Sequence, residues 1–310
     1  MNQNIISIPP EYVYKLNING MRGRYLQLPS KSDKNTQILL VYGMHSSIER
    51  MYSLALSLSK FGVVSMPDLP GFGGMDNFYI INKKPTLEMM AEYLATYIKL
   101  HYKNKKIAVC GMSYGFLVVV KMLQLHPKLH KQVILLADLV GFSHYSDFSF
   151  TTRQYKNLKL ISYVFSFYLP SLFAKNILFS KPVINISYKI SAKKHPKMKD
   201  ASKEEFKKRV KFEQYLWKCN DPRTYSFTLH DLLNVNLLNQ PLKKIDLNHV
   251  VVEEDQYFNN ELVLKNLKQI FNKVIVYKAK MPNHAPTIVS DEKEAGAIIP
   301  TKLRKKLAAL

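Results

Sequence analysis

The stretch Ile107 to Gly115, Ile-Ala-Val-Cys-Gly-Met-Ser-Tyr-Gly, constrains the fold of this chain more than any other, and the apolar run Phe116 to Val120 follows it. The pattern predicts a buried strand, a very tight turn and a buried helix that begins at or just after Ser113. Gly111-Met112-Ser113-Tyr114-Gly115 fits G-x-S-x-G, a turn that lifts a serine hydroxyl above the edge of a sheet. So sharp a reversal forces the serine into a strained backbone conformation and presses neighbouring backbones together. Side chains two residues to either side would clash, which accounts for the glycines. The N–H of the next residue then lies at a helix N-terminus, where negative charge is favoured.

The rest of the chain supplies a sheet for that turn. Tyr12 to Ile18 and Met21 to Leu28 alternate apolar and polar around Asn19-Gly20, which predicts a hairpin. Ile38 to Tyr42 is a continuous apolar run, as in a strand buried on both faces. It ends at Gly43-Met44-His45-Ser46-Ser47, and a helical pattern covers Ile48 to Lys60. Val63 to Met66 reads as a strand, and Thr86 to Leu100 as an amphipathic helix. Beyond the serine turn, Val133 to Ala137, Val250 to Val252 and Val274 to Tyr277 complete the set of buried strands. Strands alternating with helices imply a mostly parallel sheet with helices on both faces.

Five short motifs in this order resemble the α/β-hydrolase fold. They are Tyr42-Gly43 after one strand, Asp68-Leu-Pro-Gly-Phe-Gly after the next, the Ser113 turn, the acidic loop Glu253-Glu254-Asp255, and Asn283-His284. The order serine, acid, histidine is the one that family uses. This chain has Tyr42-Gly43 where the family usually has His-Gly, and Asn283-His284 where Gly-His is common. The resemblance implies an α/β core at residues 1–140 and 233–310, with a helical cap at 141–232 inserted after the sixth strand.

Ser113 is the candidate nucleophile, and a serine hydroxyl needs a base within hydrogen-bond reach. His284 is the candidate base because it follows the last predicted strand, over the carboxyl edge from which Ser113 emerges. His45 is its rival, although a position near Gly43 suits a pocket wall better. Asp255 is the candidate acid that holds the imidazole in one tautomer. Glu253, Glu254 and Asp138 remain alternatives, while Asp68 suits a turn-stabilising role. The resemblance assigns the oxyanion-stabilising N–H groups to Met44 and Tyr114. Two such fixed donors contribute on the order of 3 kcal/mol each. No spacing of histidines and acids suggests a metal, and no cofactor is expected.

Composition limits the function classes. The chain has 310 residues, 47% hydrophobic and 12% aromatic, which suits one large domain with an insertion. Its two cysteines, Cys110 and Cys219, give no disulfide framework. The first ten residues have neither a charged region nor a long apolar region, so no signal peptide is expected and cytoplasmic residence is the default. The net charge of +22 suggests either a lysine-rich soluble surface or attraction to an anionic one. No nucleic-acid motif is present, which leaves lipid headgroups as the candidate anionic partner, with residence at the inner face of a membrane. Within the insert, Leu160 to Ala174 carries no charge over 15 residues and contains Pro170. It is too short for a span of roughly 20 residues and reads as a buried cap helix, with a bilayer-touching lid as the alternative. Between Asp147 and Asp231, 17 Lys and Arg face 7 Asp and Glu, a net of +10. The expected activity is hydrolysis of a small-molecule carboxylic ester with an apolar or lipid-like part. An aminopeptidase and a non-catalytic binding protein of the same fold are the alternatives.

Overall fold

A computed structural model describes residues 7–191, 202–253, 255–280, 284 and 291–310. Eight strands form one sheet: β1 (Val13–Ile18), β2 (Met21–Leu28), β3 (Gln37–Val41), β4 (Val63–Pro67), β5 (Ile107–Met112), β6 (Val133–Leu139), β7 (Leu247–Val251) and β8 (Val274–Lys278). Their spatial order is β1-β2-β4-β3-β5-β6-β7-β8. β2 runs antiparallel to β1 and β4, and every other pairing is parallel. The β1–β2 hairpin turns on Asn19 and Gly20, whose φ values of +53° and +82° fit the right-handed twist of the strands they join. Every residue of β5 is buried. A strand covered on both faces has no polar side to show, which is why its sequence does not alternate.

The helices α1 (Ile48–Leu58), α2 (Leu87–Tyr102), α3 (Tyr114–Leu125), α9 (Asn260–Ile270), α10 (Glu292–Gly296) and α11 (Thr301–Ala308) belong to the core. Their starts are set locally: Ser47 caps α1 through the Arg50 N–H, and Thr86 caps α2 through the Met89 N–H. The C-terminal helix α11 carries Lys302, Arg304, Lys305 and Lys306; it buries Leu303 and Leu307 and leaves its lysines outside.

Between β6 and β7 lie α4 (Thr152–Phe165), α5 (Tyr168–Phe173), α6 (Lys181–Ser191), α7 (Lys203–Cys219) and α8 (Pro222–Leu232). The segment Leu160–Ala174 differs in two respects from the single buried helix expected there. First, the helix breaks at Ser166–Phe167 and restarts. In one continuous helix Pro170 would lack the N–H that bonds the Ser166 carbonyl, and its ring would collide with that carbonyl. Restarting at Tyr168 puts Pro170 in a first turn, where no N–H is required, and Arg223 Nε donates to the freed Ser166 carbonyl at 3.2 Å. Second, the segment is not buried: Leu160, Tyr163, Phe167, Tyr168, Leu169 and Phe173 are each at least half exposed, Leu169 by 74%. The stretch from Lys189 to Lys211 is strongly basic in sequence; its positions 192–201, with Lys193, Lys194, Lys197 and Lys199, lie outside the described residues. Lys207 and Lys208 stand exposed on α7.

Candidate active site

Ser113 sits between β5 and α3 with φ +49° and ψ −120°, a left-handed conformation that costs a non-glycine residue on the order of 1–3 kcal/mol. The glycines around it are steric requirements. A Cβ on Gly115 would lie 2.2 Å from the Val41 carbonyl oxygen and 2.4 Å from that of Tyr42, and one on Gly111 would lie 2.7 Å from Phe116 Cα. These neighbours are backbone atoms of adjacent buried elements, so they cannot yield to a methyl group.

His284 and Ser113, 171 residues apart in sequence, meet at the carboxyl edge, with His284 Nε2 3.0 Å from Ser113 Oγ. On its other side His284 Nδ1 lies 2.6 Å from Asp255 Oδ2. Asp255 Oδ1 accepts the N–H groups of Tyr257 (2.8 Å) and Phe258 (3.2 Å), so the carboxylate is oriented by its own loop. The rings of Tyr257 and Phe258 stand 5.2 and 5.3 Å from the imidazole and cover it. His284 and Asp255 side chains are 7% and 4% exposed; in so dry a place a hydrogen-bonded proton path is stronger than in water.

The alternative acids stand elsewhere. Glu253 is exposed and pairs loosely with Lys278, and Glu254 lies outside the described residues. Asp138, fully buried, is engaged by His249 Nδ1 at 2.6 Å and accepts the Gly141 N–H at 2.6 Å. Burial raises its pKa, against the pull of the His249 charge and hydrogen bond.

The loop after β3 packs against the serine: a Cβ on Gly43 would lie 3.2 Å from Ser113 Cβ. Among the described residues no acceptor bonds the backbone N–H of Met44 or of Tyr114. Tyr42, standing where histidine is usual, donates its hydroxyl hydrogen to Asp68 Oδ1 at 2.8 Å and accepts the Leu69 N–H at 2.8 Å. Asp68 also receives the Ile48 N–H at 3.0 Å and Arg24 Nε at 2.8 Å. This buried cluster ties the loop after β3 to the loop after β4.

The sequence profile of the family described as "Serine aminopeptidase, S33" matches residues 32–207. The chain belongs to this family. That makes it an α/β hydrolase by fold and by family, on a sheet whose order and mostly parallel sense are those given above. No curated protein sequence matches it. Among solved structures it is similar to a membrane phospholipase A described as a bacterial virulence factor, with 14% identity, a TM-score of 0.66, and coverage of 96% of this chain and 87% of that one. It is also similar to the enol-lactonase of Burkholderia xenovorans, with 12% identity, a TM-score of 0.63, and coverage of 96% and 100%. The epoxide hydrolase CorEH matches at 15% identity and a TM-score of 0.62, covering 96% and 98%. Identities this low carry the fold and nothing finer.

Within this family member, two arrangements escape sequence reasoning. One is the Asp138–His249 pair, set by strand register, since Asp138 of β6 stands directly opposite His249 of β7. The other is His45, whose Nε2 lies 2.8 Å from Glu213 Oε1 on α7. Both join residues more than 100 positions apart, with no spacing to mark them.

Proposed function

We propose that this protein is a carboxylic-ester hydrolase that works through Ser113, His284 and Asp255. The observation that carries the reading is the unbroken chain of contacts from Asp255 Oδ2 to His284 Nδ1 at 2.6 Å and from His284 Nε2 to Ser113 Oγ at 3.0 Å. In this reading Ser113 Oγ attacks the ester carbonyl carbon while His284 Nε2 takes the hydroxyl proton. The carbonyl oxygen becomes an oxyanion received by the N–H groups of Met44 and Tyr114. As the intermediate collapses, His284 returns the proton to the departing alkoxide and an acyl-Ser113 ester remains. Water, deprotonated by the same imidazole, then releases the acid and restores the serine. A panel of p-nitrophenyl esters of graded chain length tests this function, with turnover expected to rise beyond the acetate. Faster cleavage of aminoacyl p-nitroanilides than of every ester would favour the peptidase alternative. That alternative needs a free carboxylate for the substrate amine, whereas Glu213, the buried acid beside the loop after β3, is bound by His45.

The helices between β6 and β7 would act as the cap that chooses the substrate, and their outer face suits a lipid-like one. Residues 152–191 hold six Lys and Arg and no Asp or Glu, and the exposed side chains of α4, α5 and the break between them include Leu160, Ile161, Tyr163, Phe167, Leu169 and Phe173. A contiguous apolar surface with cations at its border matches an anionic bilayer interface. Association would be peripheral, because no helix among the described residues is long and apolar enough to cross a membrane. Each basic residue near such a surface contributes about 1 kcal/mol, and the attraction decays over a Debye length of about 8 Å at physiological salt. The protein is therefore expected to sediment with phosphatidylserine vesicles at low salt, less at high salt, and less when Phe167 and Leu169 are changed to Asp. Absence of sedimentation at low salt would return the positive charge to an ordinary solvated surface.

A further inference from the structure

The short loop that faces Ser113 has a second anchor, and it lies in the insert rather than in the core. His45 directly follows Met44 and adopts φ +54°, a left-handed conformation that disfavours any side chain and persists only where its surroundings hold it. Four groups do so. The His45 carbonyl accepts Arg50 Nη1 at 2.7 Å. Its ring lies 4.2 Å from the Trp217 ring and 5.5 Å from that of Tyr225. Its two nitrogens are 2.8 Å from Glu213 Oε1 and 3.1 Å from Asn220 Nδ2.

The direction of these hydrogen bonds follows from one fixed donor. The Gly73 N–H can only donate, and it meets Asn220 Oδ1 at 2.8 Å. That orients the Asn220 amide so that its NH2 faces His45 Nδ1, which must accept. The proton of the ring is then on Nε2, and it is donated to Glu213. Burial by itself raises the Glu213 carboxyl, but His45, Arg50 and Tyr188 outweigh it and hold the group down at about 2. Glu213 is thus an ionised acceptor at any ordinary pH, and a charge-assisted hydrogen bond is about twice as strong as a neutral one.

We propose that Glu213 is a positioning residue: through His45 it holds the Met44 N–H in the place where it meets the oxyanion, so that the hydrolytic step requires the insert to be seated. The proposal rests on the ester-hydrolase reading above. In physical terms, the strained loop is held at both ends and in its middle. Tyr42 and Ile48 fix its two ends to Asp68 within the core, and His45 fixes its middle to Glu213 of α7 and to Asn220. Releasing this middle anchor lets His45 relax to negative φ, which turns the Met44–His45 peptide and displaces the Met44 backbone, with its own N–H, from its place beside Ser113.

The test is a double-mutant cycle between Glu213→Ala and His45→Gly, because glycine adopts φ +54° without help. With a short soluble p-nitrophenyl ester, Glu213→Ala alone is expected to lower kcat roughly 10- to 100-fold while KM stays within about threefold, the pattern of a lost transition-state interaction. Affinity for a reversible boronic acid, whose oxygen occupies the oxyanion position, should fall by a similar factor. In the His45→Gly background the same substitution should cost less than about twofold, since the strain it relieved is already gone. Should Glu213→Ala fail to fold, the isosteric Glu213→Gln carries the cycle with a smaller expected loss. An unchanged kcat, a change confined to KM, or an equal loss in both backgrounds would overturn the proposal. Ser113→Ala on the same ester separates the layers: if it retains activity, the triad reading falls and the positioning role with it. If it is inactive while the cycle is flat, only the positioning role falls.

Discussion

Ser113→Ala is expected to lower hydrolysis of activated esters by several orders of magnitude, roughly 10⁴-fold or more, with the folded state retained. The substitution removes one oxygen from a rigid turn, and the turn itself is imposed by the contacts of Gly111 and Gly115. His284→Ala should cost about as much, because a nucleophile without its base has no means of losing its proton. The double variant should be no worse than either single one, since two members of one proton path cannot be removed twice. Activity above roughly a tenth of the parent in Ser113→Ala would rule out the serine, given that expected loss. A double variant far below both single ones would separate the two residues into independent roles.

Asp255→Asn is expected to lower kcat by about 10⁴-fold, because an amide can present its NH2 to Nδ1 and hold the imidazole in the unproductive tautomer. Glu253→Gln and Glu254→Gln should leave kcat near that of the parent. Asp138→Asn should behave differently from all of these. Its carboxylate receives His249 and the Gly141 N–H inside the core, so the amide should lower the unfolding midpoint while the folded fraction keeps its kcat. Steady-state kinetics beside thermal unfolding distinguish the outcomes. A crippled kcat in a stably folded Asp138→Asn protein would move the acid one strand earlier.

The core was legible because its signals are local. The Asn19-Gly20 turn, the non-alternating run of β5 and the glycines around Ser113 each impose their geometry on immediate neighbours, and all three stand where the pattern placed them. The meeting of Ser113 with His284 and Asp255 could be anticipated only from where strands end, since their side chains close a gap of 171 residues. The insert was less legible. An uncharged 15-residue run implies burial in a water-facing protein, and this one instead leaves Leu169 and its neighbours exposed. Pro170 carried information that pattern alone did not use, since its ring and missing N–H dictate the break before Tyr168. The contacts of His45 with Glu213 and Asn220, like that of Asp138 with His249, join residues whose proximity only the folded chain creates.

Covalent labelling measures whether Ser113 is an activated serine without knowledge of the substrate. The protein would be treated with a fluorophosphonate, digested, and the modified peptide sequenced by mass spectrometry, beside the His284→Ala variant. The expected result is a single adduct on Ser113 that is lost or greatly slowed in His284→Ala. No adduct in the folded parent protein, or one formed at another residue, would contradict it.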